Sequence, residues 1–316
     1  MKNFALIGAA GYIAPRHMKA IKETGNNLVA ALDKNDSVGI IDSFFPKADF
    51  FTEFERFDRH IDLLKRQGHR IDYVSIASPN YLHDSHIRFA LRSRAHAICE
   101  KPLVLTPKNV DGLEVVQNET GCTIFNILQL RLHPSIIALK KQIERELIQH
   151  PETIFDVDLT YITSRGHWYF TSWKGEDAKS GGIATNIGVH FYDMLSWVFG
   201  DLKKCSVHLS QKDTASGYLE FTSARVRWFL SVNYDYIPQA VKNQGQRTYR
   251  SITVDKNEVE FSGGFTDLHT TSYQKILAGK GFALGEAKKA IEIVTEIRNA
   301  ELSPLLGDYH PLAAKK

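Results

Sequence analysis

The sequence places Gly8-Ala9-Ala10-Gly11-Tyr12-Ile13-Ala14 between two short apolar runs, residues 4–7 and 28–32, the second ending at Asp33. A stretch of helical periodicity carrying Met18 and Ile21 fills the interval, and Tyr12 is expected on the inner side of that helix. Strand, glycine turn, helix, strand and acid in this order open a dinucleotide-binding βαβ unit. Glycines let the backbone approach a pyrophosphate, whose charge sits well at a helix N-terminus. The spacing is GxxGxxA, one residue longer at its first interval than GxGxxG. The acid would accept hydrogen bonds from the adenosine ribose and repel a 2′-phosphate, which favours NAD over NADP.

The alternation continues. Residues 54–67 carry helical periodicity through Phe57, Ile61 and Leu64, and Gly68 stops it. Residues 71–77 form a nearly continuous apolar run, as a strand buried on both faces requires. Ser78-Pro79-Asn80-Tyr81-Leu82-His83 breaks that run and leads into a helix around 87–91. A further strand over 95–99 ends at Glu100-Lys101-Pro102, and 107–119 reads as a helix stopped by Gly121. Ligands of a doubly wound sheet lie beyond the carboxyl ends of its strands. Gly8, Asp33, Asn80 and Lys101 all fall at such ends.

From residue 123 the pattern changes. Residues 123–132 read as a strand along which Gln129, Arg131 and His133 share a face, and His133-Pro134 starts a helix to about 149. Long β-rich segments follow at 155–165, 205–211, 218–233 and 251–261, with turn signals at Ser216-Gly217 and around 255–257. Residues 285–301 form an amphipathic helix with Ala287, Ala290, Ile291, Val294 and Ile297 on one side. The expected fold class is α/β: a dinucleotide-binding domain over 1–122, then an α+β domain over 123–316 built on a large, mainly antiparallel open sheet.

Composition excludes several classes. A formal charge of +3 without a basic block gives no nucleic-acid footprint. Three cysteines without a CxxC pair suggest idle thiols of a reducing compartment, with no zinc site. No apolar run is long enough for a bilayer, and the chain opens on a strand pattern, so a cytoplasmic location without a signal peptide is expected.

Two stretches carry chemistry. Glu100-Lys101-Pro102 puts an ammonium at a strand tip. Ser180-Gly181-Gly182-Ile183-Ala184-Thr185-Asn186-Ile187-Gly188-Val189-His190 reads as a glycine-led helix on which Asn186 and His190, four residues apart, face one pocket. Oxidising a secondary alcohol needs a hydride acceptor and a base. Histidine titrates near neutrality, whereas a lysine must be shifted by burial. His190 is therefore preferred as base, Lys101 orients the hydroxyl and stabilises the alkoxide, and Asn186, which cannot take a proton, hydrogen-bonds the substrate. Arg165, His167, Trp168, Tyr169, Trp173 and Lys174 crowd a turn just before the glycine pair. Arg165 and Lys174 suit an anionic group, and the rings suit sugar or uracil faces. No tyrosine has lysine four places on, against a short-chain dehydrogenase.

These motifs together resemble the glucose-fructose oxidoreductase/inositol dehydrogenase (Gfo/Idh/MocA) family over almost the whole chain. They are the N-terminal Rossmann pattern, Pro79-Asn80 before a helix with His83, Glu100-Lys101-Pro102, and the Gly-Gly-x-x-x-Asn-x-Gly-x-His stretch. More narrowly, residues 8–14, Leu130-Arg131-Leu132-His133-Pro134, Arg165-Gly166-His167-Trp168-Tyr169 and Ser172-Trp173-Lys174-Gly175 resemble the bacterial UDP-N-acetylglucosaminuronate dehydrogenases. The resemblance implies NAD(H), held by Gly8, Gly11, Tyr12, Ile13, Asp33, Ser78, Asn80, His83, Glu100, Lys101 and Gln129. It implies oxidation of C3 of a UDP-linked uronic acid on the way to surface-polysaccharide sugars such as those of lipopolysaccharide O-antigen. Lys101, Arg131, Arg165, His167, Tyr169, Trp173, Lys174, Asn186 and His190 would face that substrate. It further implies a homotetramer, with 2-oxoglutarate a candidate for recycling the cofactor. Much of the family carries Asp where this chain has Asn186, which moves weight onto Lys101 and His190. The alternatives are another sugar or cyclitol dehydrogenase of the family, or a non-catalytic NAD-binding sensor.

Overall fold

A computed structural model of the chain describes residues 1–259 and 267–314. They divide into two compact units: residues 1–129 with 267–288, and residues 130–259 with 289–314. The expected division at 122/123 thus differs in two ways, because the first unit extends to 129 and takes back a segment from near the C-terminus.

The first unit is a six-stranded, all-parallel sheet in the order β3-β2-β1-β4-β5-β6. Its strands are β1 (Asn3–Ile7), β2 (Asn27–Leu32), β3 (Asp49–Phe51), β4 (Tyr73–Ile76), β5 (His96–Cys99) and β6 (Ile124–Asn126). The helices between them are α1 (Ala14–Glu23), α2 (Phe54–Arg66), α3 (His83–Arg92) and α4 (Pro107–Thr120). Strand order reverses between β1 and β4, and the crevice at such a switch point is where a dinucleotide binds. Local sequence explains the ends. Pro15 opens α1, the Thr106 hydroxyl accepts from the Asn109 amide ahead of α4, and Gly121 closes α4 in the left-handed region at φ 67°. Phe4, Leu6, Ile98, Met18 and Ile21 are buried, each contributing about 1.5–3 kcal/mol by removal from water. Tyr12 is 92% exposed in the glycine turn, so it does not belong to the inner side of α1: the turn ends only at Ile13.

The second unit is a six-stranded mixed sheet in the order β12-β11-β7-β10-β9-β8. It comprises β7 (Phe155–Thr163), β8 (Leu202–Ser210), β9 (Thr214–Phe221), β10 (Ala224–Ser231), β11 (Thr248–Val254) and β12 (Asn257–Glu258). Only β7 and β10 run parallel; the other neighbours are antiparallel. Helices of this unit are α5 (Pro134–Gln149), α6 (Trp168–Thr171), α7 (Asp177–Ser180), α8 (Gly182–Asn186), α9 (Val189–Phe199) and α10 (Gln239–Asn243). Near the end of the chain α11 (Leu268–Leu277) belongs to the first unit, and α12 (Leu284–Asn299) sends Ala290, Val294 and Ile297 into the second unit's core beside Trp228, Tyr192 and Leu195.

Three further expectations are corrected. Residues 123–132 are not one strand: β6 is three residues long, and Gln129–Leu132 is a 3-10 helix, so the shared strand face of Gln129, Arg131 and His133 does not exist. Ser216-Gly217 is not a turn but the middle of β9; the chain reverses at 222–223. Gly217 serves close packing there, since a Cβ would lie 2.3 Å from the Ser206 carbonyl oxygen and 2.8 Å from the Trp228 ring. The turn near 255 is real, with Asp255 and Lys256 at φ 48° and 68° between β11 and β12, while the end of the segment expected at 251–261 lies outside the described residues. Finally, 182–190 is not a single helix. It breaks at Ile187-Gly188, where a Cβ on Gly188 would meet Leu230 at 2.6 Å and Tyr192 at 2.7 Å.

Candidate active site

In the first unit the glycine turn is built against β2 and β4. Gly8 sits at φ 92°, and a Cβ there would lie 2.6 Å from the carbonyl carbon and oxygen of Ala77. Only glycine fits. The Gly8 and Ala9 amides donate to the Leu32 carbonyl at 2.8 and 3.2 Å, and the Ala10 amide donates to Asp33 Oδ2 at 2.9 Å. Asp33 Oδ1 accepts from the Asn35 amide at 3.0 Å. Asp33 thus braces the turn while remaining partly exposed at the tip of β2. Gly11, Tyr12 and Ile13 complete the approach to α1, and Tyr12 stands out as a ring ready to be covered.

The tips of β4 and β5 are joined by buried side chains. His83 places Nδ1 2.8 Å from the Pro102 carbonyl and Nε2 2.8 Å from the Ser78 carbonyl. Burial pushes its pKa down, against the pull of these two carbonyls and of Glu100. Ser78 Oγ lies 2.8 Å from His86 Nδ1, and burial pushes His86 down to about 4. Asn80 is buried beside them, at the start of a short 3-10 turn. Asn126 Nδ2 donates to the carbonyls of Cys99 at 2.9 Å and Glu100 at 3.2 Å. Gln129 Oε1, at the end of the unit, is a buried acceptor without a hydrogen-bond partner, suited to a primary amide such as that of a nicotinamide. A turn that tolerates no Cβ, a carboxylate at the tip of β2 and an orphaned amide acceptor together fit a dinucleotide.

Glu100 is the most deeply engaged of these residues. Its Oε1 accepts from His17 Nε2 at 3.0 Å and from His269 Nε2 at 2.8 Å. Although burial alone would raise it, those two donors hold the carboxyl well below the usual carboxylate range. Lys101, half-buried, follows immediately and precedes a cis proline.

In the second unit Arg131 forms a two-pronged pair with Asp193, Nε to Oδ2 at 2.9 Å, and both side chains are buried. Tyr169 is 1% exposed, and its hydroxyl accepts from Asn186 Nδ2 at 2.9 Å. Asn186 ends α8, and the partly buried His190 lies in the first turn of α9. Lys174 Nζ lies 4.0 Å from the centre of the Trp173 ring, while Arg165 and His167 are exposed. Two cations escaped the sequence reading: Arg247 donates to Ser164 Oγ at 3.3 Å, and both Arg247 and Lys242 lie against the Tyr234 ring. His17, His269, Tyr273 and Asn126 escaped it too. His17 alone had a local signal, a polar residue at the spacing of Ala14, Met18 and Ile21 on the core side of α1.

A parallel sheet with a glycine turn at its switch point and a lysine at a neighbouring strand tip defines a dinucleotide-dependent oxidoreductase. The chain belongs to the Gfo/Idh/MocA oxidoreductases: residues 2–127 match that family's NAD-binding Rossmann fold and residues 140–246 its C-terminal alpha/beta domain. It is similar to the WlbA (WbpB) dehydrogenase of Thermus thermophilus in complex with NAD and alpha-ketoglutarate, at 52% identity and a TM-score of 0.94 over 99% of this chain and 100% of that one. The same dehydrogenase in complex with NAD and UDP-GlcNAcA matches at 51% identity with the same coverage and TM-score. WlbA of Bordetella pertussis shares the fold, with a TM-score of 0.76 at 20% identity over 97% of this chain and 98% of that one. Among curated relatives, 1,5-anhydro-D-fructose reductase of Ensifer adhaerens is 25% identical over 64% of this chain. The chain spans about half the length of the curated relatives it matches, 57% in that case.

Proposed function

We propose that this chain is an NAD-dependent dehydrogenase that oxidises the C3 hydroxyl of UDP-linked N-acetylglucosaminuronic acid to the 3-keto sugar, in the making of lipopolysaccharide sugars. The observation that carries the reading is 52% identity, end to end, with a dehydrogenase seen with NAD and, in a companion complex, with UDP-GlcNAcA. When bound, NAD⁺ supplies the hydride acceptor. Gly8, Gly11, Tyr12 and Ile13 would hold its pyrophosphate, Asp33 its ribose hydroxyls and Gln129 Oε1 its carboxamide, with Ser78, Asn80, Glu100 and Lys101 as the further residues that would hold it.

In this reading His190 takes the hydroxyl proton and Lys101 stabilises the developing alkoxide, the two roles that general acid–base catalysis of this oxidation needs. Asn186, aligned by Tyr169, hydrogen-bonds the sugar. Arg165 and Lys174 meet the anionic groups, and His167 and Trp173 flank them. Arg131, already paired with Asp193, shapes the substrate side through that pair. The alpha-ketoglutarate complex of the Thermus relative supports 2-oxoglutarate as the acceptor that returns the cofactor to NAD⁺, leaving as 2-hydroxyglutarate. We assign the reaction to a cytoplasmic homotetramer; no helix among the described residues is long and apolar enough to cross a membrane.

Purified protein incubated with NAD⁺ and UDP-N-acetylglucosaminuronic acid, with and without 2-oxoglutarate, is expected to give the 3-keto sugar, with NADH or 2-hydroxyglutarate as co-product. Turnover of free sugars or inositols in place of the UDP-uronic acid would move the chain to another branch of the family. Cofactor binding with no turnover of any of them would make it a sensor.

A further inference from the structure

The buried group around Glu100 has more hydrogen bonds than a strand end requires. Oε1 accepts from two imidazoles, as above, and Oε2 lies 3.3 Å from the Lys101 amide, which donates to it. The Glu100 carbonyl is held by Asn126, and the Pro102 carbonyl faces His83. Lys101 is therefore flanked on both sides by main-chain groups fixed to buried side chains.

The protons can be assigned. A carboxylate only accepts, so His17 and His269 each carry their proton on Nε2. Burial keeps His17 neutral, so its Nδ1 accepts from the Tyr273 hydroxyl at 2.7 Å. Tyr273, whose phenol burial pushes far up, accepts in turn from Ser75 Oγ at 2.6 Å. His269 Nδ1 is buried without a hydrogen-bond partner. The chain Ser75–Tyr273–His17–Glu100–His269 thus has one direction for every hydrogen bond and one anion, at Glu100.

We propose that His17, His269 and Tyr273 are positioning residues for Lys101, acting through Glu100, whose fixed carboxylate and clamped main chain aim the ammonium. The inference rests on the reading of Lys101 as a catalytic residue. It explains why a buried carboxylate sits next to a reactive lysine without needing to touch substrate. A displacement of about 1 Å at a reacting group costs on the order of 100-fold in rate. The same three side chains, His17, Glu100 and His269, lie close enough together to hold a metal ion, and the direct hydrogen bonds among them are the alternative use of that geometry.

The test is a double-mutant cycle read by single-turnover hydride transfer, by cofactor binding and by amide hydrogen exchange across residues 100–104. His269→Ala is expected to slow hydride transfer about 10- to 100-fold, leave the NAD⁺ Kd within about twofold, and speed exchange at the strand tip. His269→Gln, which keeps an N–H at the Nε2 position, restores most of the rate and the exchange protection. In a Lys101→Met background His269→Ala costs less than about twofold further, because residues acting as a unit are not additive. If His269→Ala does not fold, Tyr273→Phe, which removes only the hydroxyl on His17, runs the same cycle with a smaller loss.

A full multiplicative loss in the Lys101→Met background overturns the inference. So does failure of folded His269→Gln to recover, or one equivalent of zinc in the purified protein that His269→Ala removes. Normal hydride transfer in Lys101→Met alone would sink the catalytic reading itself, and so is told apart from failure of the inference.

Discussion

The strand tip that presents Lys101 and the helix break that presents Asn186 and His190 are held by different forces. At the strand tip, buried polar side chains do the holding: His17, His83, Asn126 and His269 each bond a group of residues 100–102. At the helix break, sterics dominate. Gly188 packs under Leu230 and Tyr192, and the Asn186 amide donates to the Tyr169 hydroxyl. A polar clamp is expensive to half-dismantle, because the remaining partners stay buried. A packed corner fails gradually, with volume.

The contrast can be broken in order of effect. Lys101→Met is expected to lower hydride transfer by about 100-fold or more, as loss of a group that stabilises developing negative charge does, read by single-turnover absorbance at saturating NAD⁺. Glu100→Ala leaves two imidazoles facing a void and should cost about 3–5 kcal/mol in urea unfolding.

Acid comes next. Burial pushes His86 down to about 4 and, in the second unit, His310 likewise to about 4. Both are depressed, so the unfolded chain binds more protons between pH 6.5 and 4. Stability is full above 6.5 and falls as pH drops towards 4, by about 3 kcal/mol for each. The Glu100 contribution is lost lower still, as pH falls through its depressed value. Thermal melts of His86→Phe and His310→Phe across that window should each show a flatter pH dependence than the parent chain; equal slopes in all three would refute the assignment.

Gly188→Ala should cost about 1–3 kcal/mol and lower kcat towards the sugar while sparing cofactor affinity. The smallest effect belongs to Tyr169→Phe, which removes the hydroxyl that accepts from Asn186 Nδ2 at a cost of about 1 kcal/mol and raises KM for the UDP-sugar more than for NAD⁺.

The first unit was legible in the sequence because its signals are local: an apolar run, a breaker with glycine, proline or asparagine, then a helical stripe. Gly8, Asp33, Asn80 and Lys101 fell at strand ends by that reading alone. Long-range pairing was not legible. Tyr273 meets His17 across 256 positions, and nothing near residue 273 announces it. Local signals also misled where tertiary packing reused them. Gly217 looked like a turn but makes room for Trp228, and Gly188 looked like part of a helix but interrupts it. Among the candidate site residues, Arg131 and Tyr169 were read as facing substrate, and nothing in the sequence signals that each also has a buried internal partner; a charged or phenolic side chain carries no mark of such a partner until its position is known.

The return of α11 to the first unit has a consequence for how the chain is made. On the ribosome all six strands of the parallel sheet emerge by residue 126, but Tyr273 and Ile276, which share their core, are still some 150 residues from being synthesised. The nascent nucleotide-binding unit must wait with the part of α1 that meets α11 uncovered, in reach of chaperones. A stop codon anywhere before α11 would release a polypeptide that has its glycine turn but lacks part of the core behind it.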